Sequence, residues 1–104
     1  MTVLYHPEFA RDVQRFMVRY ADLSPKLGVK FHDDVNAALA AVQINPTGAG
    51  HFINTGSLIL REVRRRNLNE FPFFVLYGLA DDRLVFGSVI PSASDPLTWL
   101  SRFE

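Results

Sequence analysis

The sequence predicts an α+β domain in the order β-α-α-β-β-β: an antiparallel sheet of about four strands, a helical hairpin packed on one face, and a short C-terminal helix. Three observations predict it. Two segments with apolar residues at helical spacing follow one another near the N-terminus. Two later segments are apolar on both strand parities and are separated by a polar turn. A proline-started, aromatic-ended segment then closes the chain. With 104 residues and no cysteine, the chain reads as one domain, 1–104, able to bury a core without disulfides or a thiolate metal site.

The first strand is Thr2 to Tyr5. His6-Pro7 then starts a helix, because a proline in the first turn gives up an N–H that has no intrahelical partner. Phe9, Val13, Phe16, Met17 and Tyr20 form its apolar stripe, and Arg11, Gln14, Arg15 and Arg19 fall on the solvent side. Ser24-Pro25 repeats the starting signal, with the serine able to accept from free N–H groups of the first turn. Leu27, Phe31, Val35, Ala38, Leu39 and Val42 form the second stripe, and Asn45-Pro46 ends it. A connection as short as Ala21 to Leu23 implies an antiparallel pair.

Pro46 to Gly56 reads as a glycine-rich loop. From Ser57 the alternation is imperfect as far as Leu68, which predicts a bulge or an edge position. Phe73 to Leu79 and Leu84 to Ile90 are apolar on both parities, the pattern of strands covered on two sides. A hairpin covers only one side, so the sequence predicts an open apolar sheet face available to a partner or to a second copy of the chain.

Composition excludes several functions. Eleven basic and eleven acidic side chains cancel, so direct nucleic-acid binding by the chain alone is not expected; any such affinity would need a local patch. No apolar run approaches the roughly 20 residues that span a bilayer, and the N-terminus lacks a signal-peptide pattern, which predicts a soluble, unprocessed, cytoplasmic chain. His6, His32 and His51 lie in unrelated settings. His32-Asp33-Asp34 lacks the spacing that lets ligands converge on a helix, and Lys30 with Asp34 is the expected local pair. No metal or cofactor is expected, and no nucleophile elbow or phosphate cradle is present.

The dense positive run is Arg61, Arg64, Arg65 and Arg66. Guanidinium forks suit carboxylate or phosphate recognition, so the run reads either as a contact site for a target or an acidic partner segment, or as a charged edge strand that resists aggregation. Tyr77 reads as a core tyrosine with its hydroxyl satisfied at the edge, against a role as an acid–base group.

The ordered set of motifs resembles the ParE/RelE family of bacterial type II toxin–antitoxin and plasmid-stabilisation toxins. It comprises YHPEFARDV, KLGVKFHDDVNAAL, Asn45-Pro46, Val63-Arg64-Arg65, Phe71-Pro72-Phe73, Tyr77 and Asp95-Pro96-Leu97-Thr98-Trp99. Basic residues common in the family are replaced here by Asn69-Glu70, by Gly78 and by Pro91 to Ser94, and TWLSRFE carries no tyrosine or histidine. The resemblance therefore implies the ParE-like branch, a toxin that binds a target such as DNA gyrase and is neutralised by a cognate antitoxin, and it leans away from an enzyme. Arg61, Arg64, Arg65, Arg66, Tyr77, Asp95 and Trp99 are the implied target- or antitoxin-binding residues. The alternatives are a RelE-like, ribosome-dependent mRNA interferase and a non-toxic family member that acts as an interaction protein.

Overall fold

A computed structural model describes residues 1–53, 62–95 and 102. The elements are β1 (Thr2–Tyr5), α1 (Phe9–Leu23), α2 (Pro25–Ile44), β2 (His51–Ile53), β3 (Glu62–Asn67), β4 (Phe73–Leu79) and β5 (Arg83–Pro91). The α+β layout, a strand, a helical hairpin and then strands, is the one the sequence predicts. Two particulars differ. Among the described residues the sheet has five strands in the order β1-β5-β4-β3-β2, and it is mixed, because β1 runs parallel to β5. The extra strand is β2, paired antiparallel with β3 inside the segment that reads as loop. The expected C-terminal helix lies outside the described residues, Arg102 apart.

β2 to β5 follow one another as an antiparallel meander, and β1 joins its β5 edge. Running parallel, it delivers the chain to the middle of β5, where the His6 N–H donates to the Phe86 carbonyl at 2.8 Å and Tyr5 stacks on Phe86 with ring centroids 5.1 Å apart. The helix then starts two residues later than the proline signal suggests. His6 supplies the cap: its Nδ1 accepts the Glu8 N–H at 3.0 Å and its carbonyl accepts the Phe9 N–H at 2.9 Å. At α2 the expected serine cap is made by the backbone instead, the Ser24 carbonyl accepting from Leu27 at 2.9 Å.

Both predicted stripes face the sheet. Phe9, Phe16, Phe31, Val35, Ala38 and Val42 join Phe73, Val75, Tyr77, Leu79, Leu84, Phe86 and Val89 in the main core. The Phe71-Pro72-Phe73 step drives two rings into the hairpin, where Phe71 lies 4.7 Å from Tyr20 and Phe73 lies 4.8 Å from Phe16 and 5.0 Å from Phe31. Such edge-on aromatic pairs add about 0.5–1.5 kcal/mol each beyond the area they bury. At Gly28 the two helices approach closely: a Cβ there would stand 2.8 Å from the Ala21 Cβ.

The opposite sheet face is not open. Val63, Phe74, Leu76 and Ile90 form a second apolar cluster at 0–1% exposure. The expectation of an exposed apolar face is overturned, because these side chains are already covered within the chain.

Candidate functional site

β3 pairs on both sides, with β2 and with β4, so the arginine run does not decorate a sheet edge. Strand alternation splits it instead. Arg64 lies opposite Tyr77 and Arg66 opposite Val75, on the helix side; Arg65 lies opposite Leu76, on the other.

The two helix-side arginines hold a loop. Arg64 donates from Nη1 to the Gly50 carbonyl at 2.9 Å and from Nε to Glu62 at 2.7 Å. Arg66 donates from Nη1 to the Ala49 carbonyl at 2.8 Å, while its Nε is buried without a hydrogen-bond partner among the described residues. The loop they clasp starts at Asn45, whose side-chain Oδ1 accepts the Gly48 N–H at 3.1 Å and whose carbonyl accepts the Ala49 N–H at 2.8 Å. A side chain at Gly50 would be built onto the Tyr77 hydroxyl, so only glycine lets the loop lie this close.

Tyr77 is a core residue. It is fully buried and donates its hydroxyl to the Pro46 carbonyl at 2.7 Å. Burial pushes its pKa above the ordinary tyrosine value, outweighing the opposing pull of Arg64 and Arg66. It therefore presents no surface to a target, and the binding role given to it is not supported by its placement. Among the described arginines of the run, Arg65 is the one on the sheet face away from the helices. It is half-buried, its guanidinium carbon sits 3.9 Å from the Phe74 ring centroid, and Nη2 donates to Asn67 at 3.1 Å. Asp95 is exposed beyond β5. Arg61 and Trp99 lie outside the described residues.

Two buried carboxylates escape sequence reasoning. Asp34 sits in α2 at 7% exposure and accepts the backbone N–H groups of Asn69, Glu70 and Phe71 at 3.0, 2.8 and 3.0 Å. Its partners are thus the turn before β4 rather than Lys30. Asp12, at 3% exposure, accepts from Ser88 Oγ at 2.7 Å and from Arg102 Nη1 at 3.0 Å. A signal existed for both: each occupies a helical position between core residues, Asp12 beside Phe9 and Phe16, Asp34 beside Phe31 and Ala38.

Between β1 and the hairpin runs a groove of about 570 Å³ lined by apolar side chains, among them Phe9, Val13, Met17, Val35 and Leu39, with His32 and Asn36 at its margin. His32 is exposed and bonds Asn36 at 3.3 Å, pointing away from buried Asp34. No group of side chains able to hold a metal ion occurs among the described residues. No helix among them is long and apolar enough to cross a membrane.

No protein-family model matches the sequence, and no curated protein matches it. Among solved structures, a chain of the "Chromosomal ParDE TA system from P. aeruginosa" superposes with a TM-score of 0.69 at 19% identity, over 88% of this chain and 95% of that one. The two chains share one fold. At this identity the shared property is the path of the backbone along nearly the whole of both chains.

Proposed function

We propose that the chain is the toxin component of a type II toxin–antitoxin module of the ParE kind, neutralised by a cognate antitoxin and acting in the bacterial cytoplasm by binding a target such as DNA gyrase. One observation carries the reading: the motif order that resembles the ParE/RelE family sits on a backbone sharing its fold with a ParDE chain over 88% of its length. The groove beside β1 is the seat offered to an apolar antitoxin segment, since Val13, Met17 and Leu39 are only partly covered there. Arg65 and Asp95 are offered to the target. Binding rather than catalysis is supported by Tyr77, whose hydroxyl is buried, committed to Pro46 and held neutral by its raised pKa. No cofactor is required by this mechanism.

The test is induced expression in a bacterial host, reading growth, DNA supercoiling and message integrity for the wild type and for Arg65→Ala. Growth arrest with altered supercoiling, relieved by the co-expressed antitoxin and weakened by Arg65→Ala, is the expected result. Arrest with intact topology and fragmented message would replace the reading with a ribosome-dependent ribonuclease. Soluble protein without arrest would replace it with a non-toxic interaction protein.

A further inference from the structure

The groove between β1 and the hairpin carries no fixed charge. Among the described residues that line it, none is Asp, Glu, Lys or Arg, in a chain with eleven acidic and eleven basic side chains. Two histidines from separate places do line it, His6 at the turn from β1 into α1 and His32 on α2. Histidine is the residue type that ordinarily changes charge between pH 5 and 8. Both rings have Nδ1 engaged within the chain. His6 Nδ1 accepts the Glu8 N–H at 3.0 Å, which fixes its tautomer, with the ring hydrogen on Nε2. His32 Nδ1 lies 3.3 Å from the side-chain amide nitrogen of Asn36. A second proton on His6 has to enter at Nδ1, where it meets the Glu8 N–H and Arg102 Nη1, the latter 3.4 Å away. One event thus breaks the bond that starts α1 and places a cation at the end of the groove. The other charges beside His6 are already engaged with one another: Glu8 pairs Arg11 at 3.3 Å, and Asp12 pairs Arg102 at 3.0 Å and Arg15 at 3.7 Å. Around His32, α1 contributes Gln14 and Met17 to the groove, while Asp33 and Asp34 line a separate hollow with Lys30 and Glu70.

We propose that this groove is a charge-gated docking site: with His6 and His32 neutral it takes an apolar antitoxin segment that brings no charge to the contact, and with both rings protonated it refuses that segment. Naming the antitoxin as occupant rests on the function proposed above; the gating by the two histidines does not. The match is one of charge. A carboxylate or ammonium carried into an uncharged lining would lose its water without meeting a fixed partner, so the lining selects an uncharged face. Phe9, Val13, Met17, Val35 and Leu39 supply apolar surface, and about 570 Å³ lies within the range of ligand pockets. His32 is exposed and His6 half-buried in the free chain. An occupant covers both, so it desolvates whatever charge they carry. Neutral rings are inexpensive to cover and imidazolium rings are not.

The probe is Nile red, an uncharged apolar dye, titrated into the full chain and followed by amide NMR at about pH 8 and about pH 5, the two sides of the ordinary histidine range. At the higher pH the wild type should bind with shifts at Ala10, Gln14, Asn36 and Leu39, and at the lower pH it should stay folded and bind roughly 10-fold more weakly or worse. The double variant His6→Asn, His32→Gln removes both titrating rings, and the new asparagine keeps an acceptor for the Glu8 N–H two residues on. It should bind the dye equally at the two pH values. Equal wild-type binding at both pH values, a pH dependence that survives in the double variant, dye shifts away from the groove, or unfolding of the wild type at the lower pH would each overturn the proposal. Failure of the toxin reading is seen separately, as soluble protein without growth arrest, and it removes the name of the occupant while leaving the dye results as they stand.

Discussion

Replacing Asp34 tests whether one carboxylate couples α2 to the turn that leads into β4. It accepts three N–H groups at 2.8–3.0 Å. Hydrogen bonds to a charged acceptor contribute about 1.5–3 kcal/mol each, and the three do not add, because exposed Asn69 and Glu70 can turn to water once released. The Phe71 N–H is the costly one, since its ring is wedged 4.7 Å from Tyr20 and 5.4 Å from Phe31. A total loss of roughly 3 kcal/mol is therefore expected for Asp34→Ala, equivalent to roughly 12–24 °C in Tm for a domain of this size. Asp34→Asn discriminates the mechanism. However the amide turns, its NH2 group faces at least one backbone N–H, so asparagine should lose nearly as much as alanine despite its matching shape. Urea unfolding with unchanged m-values gives both numbers. Stability of Asp34→Asn within about 0.5 kcal/mol of wild type would refute the account, since that is the effect of an ordinary surface substitution.

Three further outcomes follow from particular contacts. Because burial raises the Tyr77 pKa above 10.0, the folded state holds its phenolic proton longer than the unfolded chain. Its contribution is complete below that value and is lost as pH rises through the folded pKa, so stability should decline from about pH 10 upward, and Tyr77→Phe should lack that tyrosine-linked decline in pH-dependent unfolding. Gly28→Ala should destabilise by about 1–3 kcal/mol, although alanine is the better helix former, because the new Cβ meets the Ala21 Cβ at 2.8 Å; a gain in Tm would show that the helices can part. Arg64→Ala and Arg66→Ala, which release the Gly50 and Ala49 carbonyls, should each cost about 1.5–3 kcal/mol in chemical denaturation. Arg65→Ala, which removes a ring contact, should cost about 1 kcal/mol or less.

The sequence by itself determined the elements and most of the main core. Thr2–Tyr5 and Phe73–Leu79 are strands with the bounds the pattern predicts, and the two helical stripes are the faces that meet the sheet. Periodicity is written locally and survives in any tertiary setting that buries one face of each element, which is why it was legible. The tertiary structure decided what depends on partners far apart in the chain. Only the pairing of β3 with β2 showed that the arginine run lies inside the sheet and divides between its faces, two arginines holding a loop and one turned outward. Only the fold showed that the second apolar face is covered, and that Asp12 and Asp34 are buried with partners 76 and 35 or more residues away. An acidic residue at a core position reads from sequence as a solvent-facing charge, because the groups that make its burial favourable are backbone N–H donors and a distant guanidinium. Neither has a local sequence signature.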